Sequence, residues 1–349
     1  MVHLPVYAEN AYQPLLMNGL KAQGVVTLDG GGGGNFFRTA LFKWQADILH
    51  FHWLHPYLLR RGRLASMIRA TRFLAEVALL RLSGARIVWT VHNLVNHDQH
   101  LPGVERFFTR RFARMTNGII VHSQDSLQAA QAAFQFAGGT LKAAIPQGSY
   151  AGHYPNEMTR AECRAKLQVD EDALVFLFLG RIEPYKGVTE LIDCFKKIPG
   201  NVQLLIAGRV SGVGSLEQLR SAIDGAQNIR LFDRFIPDNE LQIYFNAADV
   251  YVYPVRGILN SGSISLAMSF GLPCIAPRLG GISEMLGEDG GILFDPEQPN
   301  GLLDALKEAP QRRVELASIG RRNLARAREW TWEMVARRTR ELYDECLVA

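Results

Sequence analysis

Cysteine is scarce in this chain of 349 residues, and its four copies lie far apart. Cys163, Cys194, Cys274 and Cys346 form no Cys-x-x-Cys pair, which excludes a disulfide framework and a thiolate zinc site and points to a reducing compartment. No apolar run approaches the roughly 20 residues that a membrane-spanning helix requires. Residues 1–10 lack a basic segment followed by an apolar one, so no secretory leader is expected and a cytoplasmic protein is. The glycine run at 30–34 is not followed by Gly-Lys-Ser/Thr, which excludes a P-loop and leaves a flexible loop. The glycines at 208–214 miss the dinucleotide fingerprint, and a nicotinamide enzyme is not expected. Histidine is missing from everything beyond residue 153, although the first 153 residues hold nine. The two halves therefore differ in composition, as two domains with different tasks would.

What is present suits a packed globular chain, with 48% of residues apolar and evenly spread. Net charge is only +4, yet residues 58–115 hold eleven arginines against Glu76, Asp98 and Glu105, a local +8. Such a face attracts anionic lipid or nucleic acid. No nucleic-acid-binding motif accompanies the arginines, so nucleic acid is not expected. Arginine mixed with Leu, Ile, Met and Phe at helical spacing over 58–82 suits a helix lying on an anionic leaflet, and equally one packed on its own domain.

Short apolar runs alternate with helical periods, the signature of an α/β fold with parallel sheets. Strands are expected at 47–52, 85–91 and 118–122, then again at 174–180, 202–208, 229–232, 250–253 and 273–276. Helices are expected over 63–82, 104–115, 188–197 and 216–223. Two Rossmann-like doubly wound domains follow, 1–155 and 156–330, facing a central cleft. A final helix within 331–349 is placed to pack back on the first domain.

Chemistry concentrates between 179 and 286. Residues 180–187, Gly-Arg-Ile-Glu-Pro-Tyr-Lys-Gly, end a strand and put Arg181 and Lys186 where a diphosphate leaving group needs cations. Asn260, Ser261, Gly262 and Ser263 precede a helix, whose free N–H groups and positive dipole end suit an anion. A second glycine-rich turn, Gly280 and Gly281, leads to Glu284.

These segments, with 235–241 and 247–254, occur in an order that resembles the donor domain of GT-B glycosyltransferases related to family four. The resemblance is strong over about 170–300 and weaker over the first half. It implies that Arg181 and Lys186 grip the diphosphate and that Phe235 and Ile236 lie beside the nucleobase. Asn260, Ser261, Gly262 and Ser263 would cradle phosphate or sugar, Gly281 would line the second turn, and Glu284 would face the ribose. One departure matters: family members carry two glutamates eight positions apart, where this chain has Ile258 and Leu266. In that respect it resembles bacterial exopolysaccharide transferases of the inverting, xanthan type. The implied reaction moves mannose from GDP-mannose onto a polyprenyl-diphosphate-linked oligosaccharide at the inner face of the membrane. Two alternatives stay open, a retaining UDP-sugar transferase and a non-catalytic scaffold subunit.

Inversion requires a general base in the acceptor domain. The loop after the 85–91 strand offers Asp98 first, then His97 and His92, with Glu9 as an outsider. His50 and His52 share one face of a strand, as metal ligands do. No carboxylate or cysteine lies nearby in sequence to complete a set, so they are expected to line the acceptor site. No cofactor and no metal are expected, because Arg181 and Lys186 supply the charge that an Asp-x-Asp-bound ion would.

Overall fold

The computed structural model describes the chain except residues 8–9, 32–35, 40–45, 95–100, 213 and 258 and the side chains of 38 and 39. The chain divides into two compact units. The first is Met1–Gly148 with Trp330–Ala349, and the second is Ser149–Glu329. The boundary thus precedes the expected one by seven residues. The connector belongs to the second unit because the Tyr150 amide donates to the Ser269 hydroxyl at 3.0 Å and Ser149 Oγ lies 3.1 Å from the same oxygen.

The first unit is a parallel sheet of β1 (Val2–Leu4), β2 (Leu28–Asp29), β3 (Ile48–Phe51), β4 (Arg86–Thr90), β5 (Gly118–Val121) and β6 (Leu141–Ala144), in the order β2-β1-β3-β4-β5-β6. The C-terminal helix Trp332–Val348, capped by Thr331, lies against the helix Tyr12–Ala22. Gly19 makes this possible, because a Cβ there would stand 2.8 Å from that of Ala336.

The second unit contains β7 (Leu174–Leu179), β8 (Val202–Ala207), β9 (Ile229–Phe232), β10 (Val250–Val252), β11 (Cys274–Pro277) and β12 (Gly291–Phe294), all parallel, in the order β12-β11-β10-β7-β8-β9. Its central strand β7, Leu-Val-Phe-Leu-Phe-Leu, is buried at every residue, as a parallel strand covered on both faces must be. Its Phe176 and Phe178 share a core with Phe195 and Ile206.

One polar strut runs through this packing. Arg164, 2% exposed, donates to Asp249 Oδ2 at 2.8 Å and to the carbonyls of Ala247 and Ala173 at 3.1 Å. Asp249 also accepts the Val175 amide at 2.8 Å. Asp249 belongs to the recognised 247–254 segment, but its work is to tie β10 to β7. Among the described residues no helix is long and apolar enough to cross a membrane.

Candidate donor site and histidine array

In an open parallel sheet, ligands bind beyond the carboxyl ends of the strands where the chain order reverses. In the second unit that point lies between β7 and β10. The segment 180–187 leaves β7 there, and 253–263 leaves β10. Gly187 joins the two: its φ of +69° and the Pro254 carbonyl, 2.6 Å from where a Cβ would stand, leave room for glycine alone.

Lys186 and Ser263 converge on this strand end. A Cβ on Gly180 would lie 3.8 Å from Ser263 Oγ and 3.9 Å from Lys186 Nζ. Lys186 is half-buried, and burial pushes its ammonium down to about 8, with Glu183 opposing the shift and Arg181 adding to it. At neutral pH it is still a cation, poorly hydrated and ready to meet an anion. Arg181, 67% exposed, pairs with Glu183 at 3.7 Å. An exposed pair of that kind contributes about 0–1 kcal/mol and exchanges readily for a phosphate.

Ser261 caps the helix Gly262–Ser269 by accepting the Ile264 amide at 3.3 Å. That leaves Gly262 and Ser263 at the helix start to present backbone N–H groups beside Gly180. Gly281 donates its amide to Leu259 O at 3.2 Å, which ties the turn after β11 to the loop after β10. Glu284 is exposed on the helix Gly280–Leu286 that follows. Phe235, just beyond β9, is 58% exposed, whereas Ile236 is 7% exposed and packs inward. Of that pair only the Phe235 ring is offered to a ligand. Its strand is two places from β7, roughly 10 Å away at ordinary strand spacing. The structure therefore joins Lys186, Ser263 and the 261–263 turn closely, and sets Phe235 and Glu284 on flanking strand ends.

Two supports escaped the sequence reading. The Tyr251 hydroxyl donates to Leu179 O at 3.1 Å and also meets Ser263, while the Tyr253 hydroxyl meets Ser261. Burial raises both phenols, Tyr253 to about 12, so they remain neutral; with its one hydrogen given to Leu179 O, Tyr251 Oη accepts from Ser263. The alternation Val250, Tyr251, Val252, Tyr253 was visible, but the serines as their partners were not.

The first unit has its reversal between β1 and β3, and five imidazoles gather at its strand ends. His3 Nδ1 lies 3.0 Å from His52 Nε2, and His52 Nδ1 lies 3.2 Å from His92 Nε2. His50 sits between Tyr343 Oη at 2.6 Å and Thr90 Oγ1 at 2.7 Å. His122 Nδ1 donates to Ile145 O at 3.0 Å, so its Nε2 carries the lone pair. Burial lowers all five, His3 to about 3 and His122 to about 4.

His50 is fully buried and lines no acceptor surface as expected, whereas His52, 1% exposed, reaches only a small pocket beside Trp53 and Asn93. Ligand nitrogens of His3, His50 and His52 lie within 4.8 Å of one another. Hydrogen bonds to each other and to Tyr343 and Thr90 already occupy most of them. His92 is the half-buried end of this chain, stacked on Trp53 at 4.5 Å. When the chain donates from His92 towards His3, His92 Nδ1 keeps its lone pair, while burial holds its imidazole well below the usual value. Glu9, His97 and Asp98 lie outside the described residues.

Two doubly wound parallel units, the second with cations and a helix start at its reversal point, define an α/β protein of the GT-B kind. Residues 173–311 match the model of the family "Glycosyl transferases group 1", and the chain carries a group 1 glycosyl transferase domain there. It is 27% identical over 289 residues to a GDP-mannose:glycolipid 4-beta-D-mannosyltransferase of Xanthomonas campestris, covering 78% of this chain and 75% of that one. It is 31% identical over 203 residues to a D-inositol 3-phosphate glycosyltransferase of a Nocardioides species, covering 53% of this chain and 44% of that relative. The chain thus spans about half the length of the first curated relatives it matches. Its fold is similar to that of Anabaena HepE in complex with UDP and glucose, with a TM-score of 0.74, 15% identity, and coverage of 99% and 98%.

Proposed function

We propose that this protein transfers mannose from GDP-mannose, with inversion to a β linkage, onto an oligosaccharide carried on polyprenyl diphosphate. The observation that carries the reading is the meeting of Lys186, Ser263 and the start of the helix Gly262–Ser269 over Gly180. That arrangement neutralises a diphosphate without a carboxylate-held metal. In the reaction the acceptor oxygen gives its proton to the base and bonds to the anomeric carbon. The bond from that carbon to the diphosphate breaks, and its electrons stay with the leaving nucleotide beside Lys186 and Arg181. Leu266 supports inversion, since it stands where the retaining members have a glutamate. Asp98 is the first candidate for the base, with His97 and His92 behind it and Glu9 less favoured; of these only His92 is among the described residues.

Membrane contact completes the proposal, through the arginines of 58–115 at the cytoplasmic face. The helix Arg63–Leu82 buries Ser66, Ala70, Phe73, Val77 and Leu80, yet leaves Leu64, Ile68 and Leu82 at 72%, 63% and 85% exposure. Apolar tips among arginines on an already packed helix suit a lipid interface.

A retaining, UDP-sugar-dependent reaction is the second reading, and its UDP part is prompted by HepE, a structure of similar fold in complex with UDP and glucose. The deciding assay offers GDP-mannose and UDP-glucose with lipid-linked acceptor in EDTA. A β-mannoside by NMR is expected. An α product, use of UDP-glucose alone, or dependence on added Mg²⁺ would overturn the specific reading, and no transfer would favour a scaffold.

A further inference from the structure

The helix Pro102–Ala113 carries Arg106 and Arg110 four residues apart, with Arg114 four further at its C-cap and Arg111 next to Arg110. Its one acid, Glu105, is on the buried side. The four arginines surround a cavity of about 260 Å³ together with Phe107 and Gln135. None of the four pairs with a carboxylate among the described residues, whereas nearby Arg72 meets Glu76 at 2.7 Å. Neutral groups hold Arg110, Arg111 and Arg114 instead. Arg110 Nε donates to Ala133 O at 2.9 Å, and Arg114 donates to the Gln135 side chain. Arg111 rests 3.3 Å above the Phe107 ring. These contacts fix the guanidiniums without cancelling their charge, and four like charges so gathered favour an anion between them.

We propose that Arg106, Arg110, Arg111 and Arg114 form a binding site for a phosphate or diphosphate group. Guanidinium forks match phosphoryl oxygens in pairs. The cavity is smaller than the roughly 300–1,000 Å³ typical of whole small-molecule sites, so it suits a head group more than a nucleotide sugar. The same chemistry comes from a lipid head group or from a soluble phosphate. A lipid is favoured by Phe107, 48% exposed at the rim, and by a second cavity of about 530 Å³ that Met115, next in the chain to Arg114, lines with Arg81, Leu82 and Arg86. Only this lipid arm rests on the membrane contact proposed above.

The test uses the full chain and a triple variant, R106Q/R110Q/R114Q. A second triple, R321Q/R328Q/R337Q, removes the same charge from other exposed positions. Each is titrated with inorganic pyrophosphate, with the donor site saturated by nucleoside diphosphate, and floated with phosphatidylglycerol or phosphatidylcholine vesicles. The first triple should lose about 100-fold in affinity for pyrophosphate and for phosphatidylglycerol, given about fivefold (about 1 kcal/mol) per arginine at an anionic surface, with its unliganded melting temperature unchanged. The second triple should lose less than tenfold. Equal losses in both would reduce the effect to diffuse charge and overturn the proposal, as would no loss in the first. Pyrophosphate binding through these arginines without vesicle binding would leave the site standing, assign it to a soluble phosphate, and refute the membrane contact alone.

Discussion

Replacing Lys186 with alanine is expected to slow sugar transfer by about 100- to 1,000-fold, the usual cost of removing one preorganised charge partner of a transition state. The leaving nucleotide gains negative charge as the glycosidic bond breaks, and Lys186 is the half-buried cation beside Gly180. Because burial already disfavours its charge, removing it should not lower the melting temperature of the unliganded protein. Lys186→Arg should recover part of the rate, since charge is kept while the fork is wider. Single-turnover rates with saturating donor give the result. Unchanged transfer in Lys186→Ala would show that another group neutralises the diphosphate.

Acid should unfold the first unit while pH 7.5 leaves it intact. His3 and His122 are neutral inside, at about 3 and about 4, against about 6.5 in the unfolded chain. As pH falls below 6.5 the unfolded chain takes up protons that the folded array refuses. Stability is therefore complete above that value and is lost as pH falls towards 4 and then 3. Each such histidine contributes a slope of about 1.4 kcal/mol per pH unit, so these two alone remove about 4 kcal/mol between pH 6 and pH 4.5. His50, His52 and His92 act in the same direction. That total rivals the roughly 5–15 kcal/mol of a whole domain. Urea titrations from pH 7.5 to 4.5 should show the midpoint falling steeply, and less steeply in His122→Asn. A flat profile down to pH 4.5 would mean the imidazoles are not sealed from water.

Much of the fold was legible because its central strands are continuous apolar runs. β7, β8 and β5 need no partner to be recognised. β2, the two residues Leu28 and Asp29, and β1, three residues at the chain start, are too short for any periodicity and exist by pairing with each other and, through β1, with β3. The meeting of Lys186 and Ser263 was legible, because there residue type and strand-end position coincide. That Ile236 packs inward was not legible, because its burial depends on packing that a local pattern does not carry. The histidine array was hidden for a related reason. His3, His50, His92 and His122 are far apart in sequence, and only the register of β1, β3, β4 and β5 stacks them.

The central claim is that the β7–β10 strand ends bind a nucleoside diphosphate without metal. Calorimetric titration of GDP and of UDP into the protein in EDTA tests it most directly. The account predicts saturable binding of GDP in preference to UDP, weakened at least about tenfold in Lys186→Ala by loss of one charge-assisted contact. Absence of binding by either nucleotide, or binding indifferent to Lys186, would contradict it.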